Sequence, residues 1–517
     1  MHKNGVITLS DINWLNLLSG TDIRGKAVKT EDGEVELTAE AVRGIGYSFA
    51  KWLAAKKNKD ISKIKIAVGN DSRISAERIK NSLFSGITSQ GAEVFNAGLA
   101  STPAMFMSTV LEGHKYDGAV MITASHLPFD KNGFKFFTED GGLEKEDVKD
   151  ILKAASKDEE KILAMDELAD EKLVKEIDLI SDYAAHIKKV IRENLYEGID
   201  SANPLKDYNI IVDAGNGAGG FFAEKILEDL GADTAGSQFL NPDGNFPNHI
   251  PNPEDKTAIE SIKKAVKEKD ADLGIIFDTD VDRAAVVDSS GRAINRNRLI
   301  ALASTLVLED NPGATIVTDS VTSIGLKKFI EEKLGGVHHR FKRGYKNVIN
   351  EAIRLESEGV HVPLAIETSG HAAFKENYFL DDGAYMVAKV LIKLANLRAE
   401  DGGGIGALIS DLEEAEIKKE YRMIIELDDF KNYGSNLIEN LKNYVGVIDD
   451  WELAPKNYQG VRVNCGGNDW FLLRKSLHDP VLVLNIECDS KESLNRILGE
   501  LKSFLSQYEH LNLEPLN

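Results

Sequence analysis

Asp278-Thr279-Asp280-Val281-Asp282-Arg283 places three carboxylates at every second position. The apolar runs on either side, Leu273 to Phe277 and Ala284 to Val287, read as buried strands. Like charges pressed between buried strands repel strongly unless a cation neutralises them. Hard oxygen donors in threes suit Mg²⁺, with positions left for a phosphate oxygen and water. An EF-hand does not fit, because Arg283 stands where a glycine is needed and Ser289 where a glutamate is needed.

A second stretch, Gly118 to Phe137, delivers a nucleophile. The apolar run Ala119-Val120-Met121-Ile122 reads as a buried strand that stops at Thr123-Ala124-Ser125-His126, and Pro128 blocks its continuation. After the turn signal Asn132-Gly133, Lys135 stands alone in the apolar run Phe134 to Phe137. Ser125 and His126 are not an obvious hydrolase dyad. Neighbours on an extended chain point apart, and no G-x-S-x-G elbow is present. A serine beside a metal loop can instead carry a phosphoryl group, whose oxygen would join Asp278, Asp280 and Asp282 as a metal ligand.

Three further loops offer polar groups. Glu367-Thr368-Ser369-Gly370-His371 has acceptors and donors suited to sugar hydroxyls. Arg343-Gly344-Tyr345-Lys346 is a cationic turn that could meet a phosphate, and Arg24 lies between glycines in Ser19 to Gly25. Asp213 to Gly220 contains G-x-G-x-x-G, but the acid expected about 20 residues on comes too early, at Asp233. A tight strand-to-helix turn is the better reading.

The elements that must position these loops alternate. Helical spacing marks Thr38 to Lys56 and Ser75 to Gln90, with apolar strands at Lys65 to Gly69 and Ala92 to Phe95. Such alternation implies parallel α/β sheet. Glu144 to Leu179 reads as a charged helical cover, Asp182 to Leu195 as an amphipathic helix, and Gly198 to Asp207 as a linker. New α/β units start near Tyr208 and Ala314, the latter followed by a helix over Ser320 to Leu334. From Glu426 the pattern is a helix at Tyr433 to Tyr444, then strands, then a helix at Glu492 to Tyr508. A faint repeat runs through the chain: strands before Thr123, Asp278 and Glu367 each end on a polar cluster. Open sheets bind ligands at such C-terminal strand ends.

Composition sets bounds. At 517 residues the chain exceeds one ordinary core, and its net charge of -22 opposes nucleic-acid binding. No apolar run nears the roughly 18 residues that cross a bilayer, so no membrane partner is expected. Cys465 and Cys488 make no disulfide framework, and MHKNGVITLSDINWL lacks a signal-peptide pattern. The expected location is cytoplasmic.

Taken together, GTDIRG, TASHLP with NGFKFF, PDGNFPNHIPNPE at Pro242 to Glu254, DTDVDR, ETSGH, and FKENYFLDDG at Phe374 to Gly383 resemble the α-D-phosphohexomutase superfamily. The resemblance is nearest to its phosphoglucomutase/phosphomannomutase branch. It implies three related α/β (mixed-sheet) domains plus a C-terminal α+β domain around a central cleft. The boundaries expected are 1–182, 183–308, 309–425 and 426–517. It implies that Ser125 is a phosphoserine, that Mg²⁺ sits on Asp278, Asp280 and Asp282, and that Arg24, His126, Lys135 and Arg283 stabilise charge or move protons. Glu367, Ser369 and His371 would then hold the sugar, with Lys346, Arg474 and Ser476 on its other phosphate. The implied reaction interconverts hexose 1-phosphate and hexose 6-phosphate through hexose 1,6-bisphosphate. The family's last loop, R-x-S-[GN]-T-E-P, here reads Arg474-Lys475-Ser476-Leu477-His478-Asp479-Pro480, with no second arginine after it. That departure motivates an alternative, a sugar-phosphate-binding paralogue without catalysis or with altered specificity. A further alternative is an aspartyl-phosphate phosphatase built on Asp278-Thr279-Asp280, which would leave Ser125 idle.

Overall fold

The computed structural model describes residues 12–31, 33–399, 403–476 and 479–517. The chain forms two compact units, one made of 1–295 and 369–406, the other of 296–368 and 407–517.

In the first unit, strands Leu18–Ser19, Asp22–Lys26, Lys131–Thr138, Gly118–Ile122, Lys65–Asn70, Glu93–Leu99 and Val174–Glu176 lie side by side in that order. Gly118–Ile122 pairs parallel to Lys65–Asn70 and antiparallel to Lys131–Thr138, so the sheet is mixed. Helices Ala39–Lys57 and Ala76–Thr88 fall within two residues of the predicted ranges. The first starts at Thr38, whose hydroxyl accepts the Ala41 N–H at 3.2 Å. Their apolar faces share one core with Val68, Val120, Ile122 and Phe134.

A second mixed sheet holds Ile210–Asp213 parallel to Leu273–Phe277, which pairs antiparallel with Ala284–Asp288. Phe277 faces Ala284 across the ladder, so residues 278–283 form a closed hairpin loop. All six are buried, as the flanking strands required. The same unit contains the hairpin of Ala372–Phe374 with Leu380–Asp381 and the helix Gly383–Ala399.

In the second unit, Thr315–Thr318 pairs parallel to both Val337–Arg340 and Leu364–Ile366. An antiparallel sheet follows, in the order Ile417–Ile424, Val481–Cys488, Trp470–Lys475, Val461–Asn464, Glu452–Leu453. Val461, Val463, Phe471 and Leu473 point from it into a core with helices Phe430–Val445 and Lys491–Leu505. Alternation sends Arg462, Trp470 and Arg474 to the opposite face. This is the α+β arrangement expected at the C-terminus.

Three expectations need correction. Glu144 to Leu179 is not helical throughout: Val174–Glu176 is an edge strand beside Glu93–Leu99, and its short charged sequence hides it. The helix expected from Ser320 begins only at Ile324, because Ser323 caps it by accepting the Leu326 N–H at 2.9 Å. The parallel pairing implied by alternation holds only in part, because antiparallel hairpins within 118–138, 273–288 and 372–381 make the sheets mixed, as the resemblance implied. Among the described residues no helix is long and apolar enough to cross a membrane.

Candidate active site

Ser125 sits one turn beyond the strand Gly118–Ile122 with φ of +48°, a left-handed conformation that costs a non-glycine residue energy. Its N–H donates to Thr123 Oγ1 at 2.9 Å, and Thr123 donates to Asp71 Oδ2 at 2.7 Å. This backbone overturns the expectation that Ser125 and His126 point apart. Oγ of Ser125 lies 3.3 Å from His126 Nδ1. It also donates to Asp278 Oδ2 at 3.1 Å and accepts from Arg283 Nη2 at 3.0 Å. The serine loop and the aspartate loop therefore meet at one oxygen.

Arg283 joins them. Its Nε donates to Asp278 Oδ2 at 3.0 Å, its Nη2 to His126 Nδ1 at 2.7 Å, and its Nη1 to Asn252 Oδ1 at 3.3 Å. Because Nδ1 accepts, the neutral imidazole carries its proton on Nε2. The outer edge of the His126 ring is exposed, but crowding of its inner side and the Arg283 charge pull its pKa down to about 3. His126 is neutral at physiological pH.

The three aspartates are fully buried and offer carboxylate oxygens all within 4.8 Å of one another. Burial, then the Asp282 charge, pushes Asp278 and Asp280 above the ordinary carboxylate range. Burial acts the same way on Asp282, but Lys135, His371 and Arg283 outweigh it and keep that carboxyl ionised. Lys135 Nζ lies 2.5 Å from Asp282 Oδ2 and 3.9 Å from Asp280 Oδ2. Oδ1 of Asp280 and Oδ1 of Asp282 remain buried without a hydrogen-bond partner. Hard oxygens, two of them orphaned, fit a small divalent cation better than a closed salt-bridge network. Asp282, His371 and Asp381 form a second group of this kind, in which His371 Nδ1 is 2.9 Å from Asp381 Oδ2.

Neighbouring elements hold the aspartate loop in a demanding shape. Val281, a β-branched residue, has φ of +66°. Thr102, at the start of helix Thr102–Met107, donates its N–H to the Asp280 carbonyl at 2.8 Å and its hydroxyl to Asp280 Oδ2 at 2.5 Å. Ala218 donates to the Thr279 carbonyl at 2.8 Å, and Gly383 to the Val281 carbonyl at 3.1 Å. A Cβ on Gly217 would lie 2.6 Å from the Thr279 carbonyl oxygen. The glycines after Asp213 thus form the turn expected of them, one that lets the chain press against the aspartate loop.

Arg24 reaches the same region. It donates to the Thr123 carbonyl and pairs with Asp22 at 2.7 Å. Ser369 and His371 also belong to this unit. Glu367, Lys346, Arg474 and Ser476 belong to the other one. There the Gly344 N–H donates to Glu367 Oε1 at 2.6 Å, bringing the Arg343 to Lys346 turn beside the glutamate. Arg474 is buried, its Nε has no hydrogen-bond partner, and desolvation pulls its pKa down to about 10. Ser476 Oγ bonds Asp479 at 3.2 Å. Lys475 turns away to Ser435 Oγ at 2.5 Å, and Leu477 and His478 lie outside the described residues.

Sequence reading missed Asp71, Thr102, Asn252 and Asp381. The polar loop Asn70 to Arg73 ends a buried strand, as the serine loop does, and that shared pattern was the available signal.

Models of the phosphoglucomutase/phosphomannomutase alpha/beta/alpha domains I, II and III match residues 16–162, 181–291 and 295–412. The chain is 32% identical over 491 residues to a phosphomannomutase/phosphoglucomutase of Pseudomonas putida, covering 94% of this chain and 95% of that protein. It is also 32% identical over 497 residues to a phosphoglucomutase of Neisseria gonorrhoeae, covering 96% and 98%. A solved phosphoglucomutase/phosphomannomutase family protein from Burkholderia thailandensis is 27% identical and superposes with a TM-score of 0.76, over 96% of this chain and 98% of that one.

Proposed function

We propose that this chain, which belongs to the phosphoglucomutase/phosphomannomutase family, interconverts hexose 1-phosphate and hexose 6-phosphate, with glucose or mannose as the sugar. The observation that carries the reading is the meeting of Ser125 Oγ with Asp278 and Arg283, at 3.1 and 3.0 Å, beside three buried aspartates. A serine–histidine hydrolase dyad would need His126 Nδ1 as the base, yet that nitrogen is already occupied by Arg283.

Ser125, once charged by a hexose 1,6-bisphosphate, passes its phosphoryl group to the free hydroxyl of a hexose monophosphate. The bond from phosphorus to Oγ breaks, a bond to the sugar oxygen forms, and the hydroxyl proton ends on the Oγ left behind. The bisphosphate then turns end for end. Its other phosphoryl group returns to Oγ, and the proton returns to the sugar oxygen left behind. Arg24, Lys135 and Arg283 balance charge around the transferred group. Asp278, Asp280, Asp282 and a phosphate oxygen on Ser125 would hold Mg²⁺, which when bound supplies further charge neutralisation. Glu367, Ser369 and His371 hold the sugar, while Lys346, Arg474 and Ser476 hold the phosphate that is not reacting. A small soluble substrate and a cytoplasmic setting belong to this reading.

The test is conversion of glucose 1-phosphate and mannose 1-phosphate to the 6-phosphates by purified protein with Mg²⁺ and a trace of hexose 1,6-bisphosphate. Conversion of neither sugar sinks the proposal. For the non-reacting phosphate, Arg474→Ala should raise KM about 30-fold, the equivalent of one charge-assisted contact of about 2 kcal/mol. Binding that is equal in ground and transition states leaves kcat nearly unchanged. An unaltered KM would remove Arg474 from the substrate site.

A further inference from the structure

We infer that Arg73 is a positioning residue for phosphoryl transfer, gripping the backbone of the Ser125 loop from behind. The inference rests on the mutase reading of Ser125. The Arg73 side chain is completely buried, and its guanidinium is spent almost wholly on main-chain carbonyls of one loop. Nη2 donates to the Ser125 and Leu127 carbonyls, both at 2.6 Å. Nη1 donates to those of Pro128 at 2.7 Å and Lys131 at 2.9 Å. Nε lies 3.4 Å from Asp71 Oδ2.

Asp71 completes the grip. The same Oδ2 accepts from Thr123, which accepts the Ser125 N–H. Ser125 is thereby held at its N–H through Asp71 and at its carbonyl by Arg73. Those are the two groups that define the backbone on either side of its left-handed φ. A guanidinium is suited to this task because its planar fork presents donors in fixed directions. An ammonium on a flexible stem has only three donors and cannot serve four carbonyls.

A second element seals the grip. In Asp243 to Asn252, the Phe246 ring centroid lies 5.4 Å from Arg73 Cζ. Gly244 lies against the backbone of Ser72 to Ile74, where a Cβ would come 2.5 Å from the Ser72 carbonyl oxygen. The same segment continues to His249, 3.0 Å from both Asp213 carboxylate oxygens, and to Asn252, which accepts from Arg283. One strap thus runs from the back of the serine loop to the arginine that touches Ser125 Oγ. Arg73 itself touches no reacting atom. Its effect is on where Oγ sits relative to Asp278 and Arg283.

Arg73→Lys keeps the charge and removes the fork. We expect kcat to fall about 10²-fold, the cost of displacing a reacting group by about 1 Å, with KM within about threefold of wild type. Amides 124–131 should exchange hydrogen faster in the variant. Phe246→Leu, which leaves the guanidinium in place, should lower kcat about tenfold in a folded protein. A merely structural arginine would lower the melting temperature and leave kcat per folded molecule unchanged, and that result in both variants overturns the inference. Wild type and both variants turning over equally sinks the role of Arg73 and leaves the mutase standing. A wild type that takes up no phosphate from hexose 1,6-bisphosphate sinks both.

Discussion

Replacing Ser125 by alanine should lower hexose phosphate interconversion by about 10⁴-fold or more, because the covalent acceptor is gone and no neighbouring oxygen can take its place. Asp278 Oδ2 is the nearest alternative, but it is engaged by Arg283 Nε at 3.0 Å and Nη2 at 2.9 Å. The substitution also touches a strained backbone, since Ser125 has φ of +48°. Alanine and glycine therefore make a matched pair. Glycine accepts that φ freely, whereas alanine costs about 1 kcal/mol more there. If both variants are equally inactive, the lost oxygen is responsible and not a relaxed loop. Intact mass before and after incubation with hexose 1,6-bisphosphate gives an independent reading. Wild type should gain one phosphoryl group, and neither variant should. Turnover within tenfold of wild type in Ser125→Gly would end the phosphoserine mechanism. A phosphoryl group that persists in both variants would favour an aspartyl phosphate instead.

The serine and aspartate loops were legible because each is a local pattern, an apolar strand ending abruptly on polar residues. Their shared purpose was harder to see, since Ser125 and Asp278 are 153 positions apart. The helix Ala39–Lys57 followed from apolar residues at helical spacing. What escaped reading depends on distant partners or on unusual backbone. Arg73 is an ordinary loop arginine in sequence, and its acceptors lie 52 to 58 positions away. Ser125 and His126 face the same neighbours only because φ is positive at Ser125, which no propensity announces for a serine. Val174–Glu176 joins its sheet through backbone pairing and through polar side-chain contacts, Lys175 with Glu93 and Asn96 with Glu176, with no apolar alternation to mark it. Unassigned motifs gain a physical meaning from the same contacts: Phe246 and Asn252 connect the PDGNFPNHIPNPE segment to Arg73 and Arg283.

Asp280→Asn should abolish most of the stabilisation that Mg²⁺ gives the protein, while leaving the metal-free fold at least as stable. Among the described residues, Lys135 and Arg283 pair with the three buried carboxylates, and Asp280 Oδ1 and Asp282 Oδ1 have no hydrogen-bond partner. The Asp280 pKa is raised, first by burial and then by Asp282. Sign follows from that direction. In the metal-free protein the protonated carboxyl contributes stability below its ordinary value of 3.8, and that stability is lost as pH rises through the raised value. Near neutral pH the carboxylate is therefore a burden unless a cation neutralises it. Asparagine removes the burden and can still accept from Thr102. In wild type, Mg²⁺ at 100 times its Kd should add about 2.7 kcal/mol, seen as a higher melting temperature, with protons released on binding. The variant should show little of either effect, and its kcat should fall about 10²-fold to 10³-fold as charge at the transferred group goes uncompensated. Equal gains from Mg²⁺ in both proteins would exclude Asp280 as a ligand. Full wild-type turnover in excess chelator would exclude the cation from the reaction altogether.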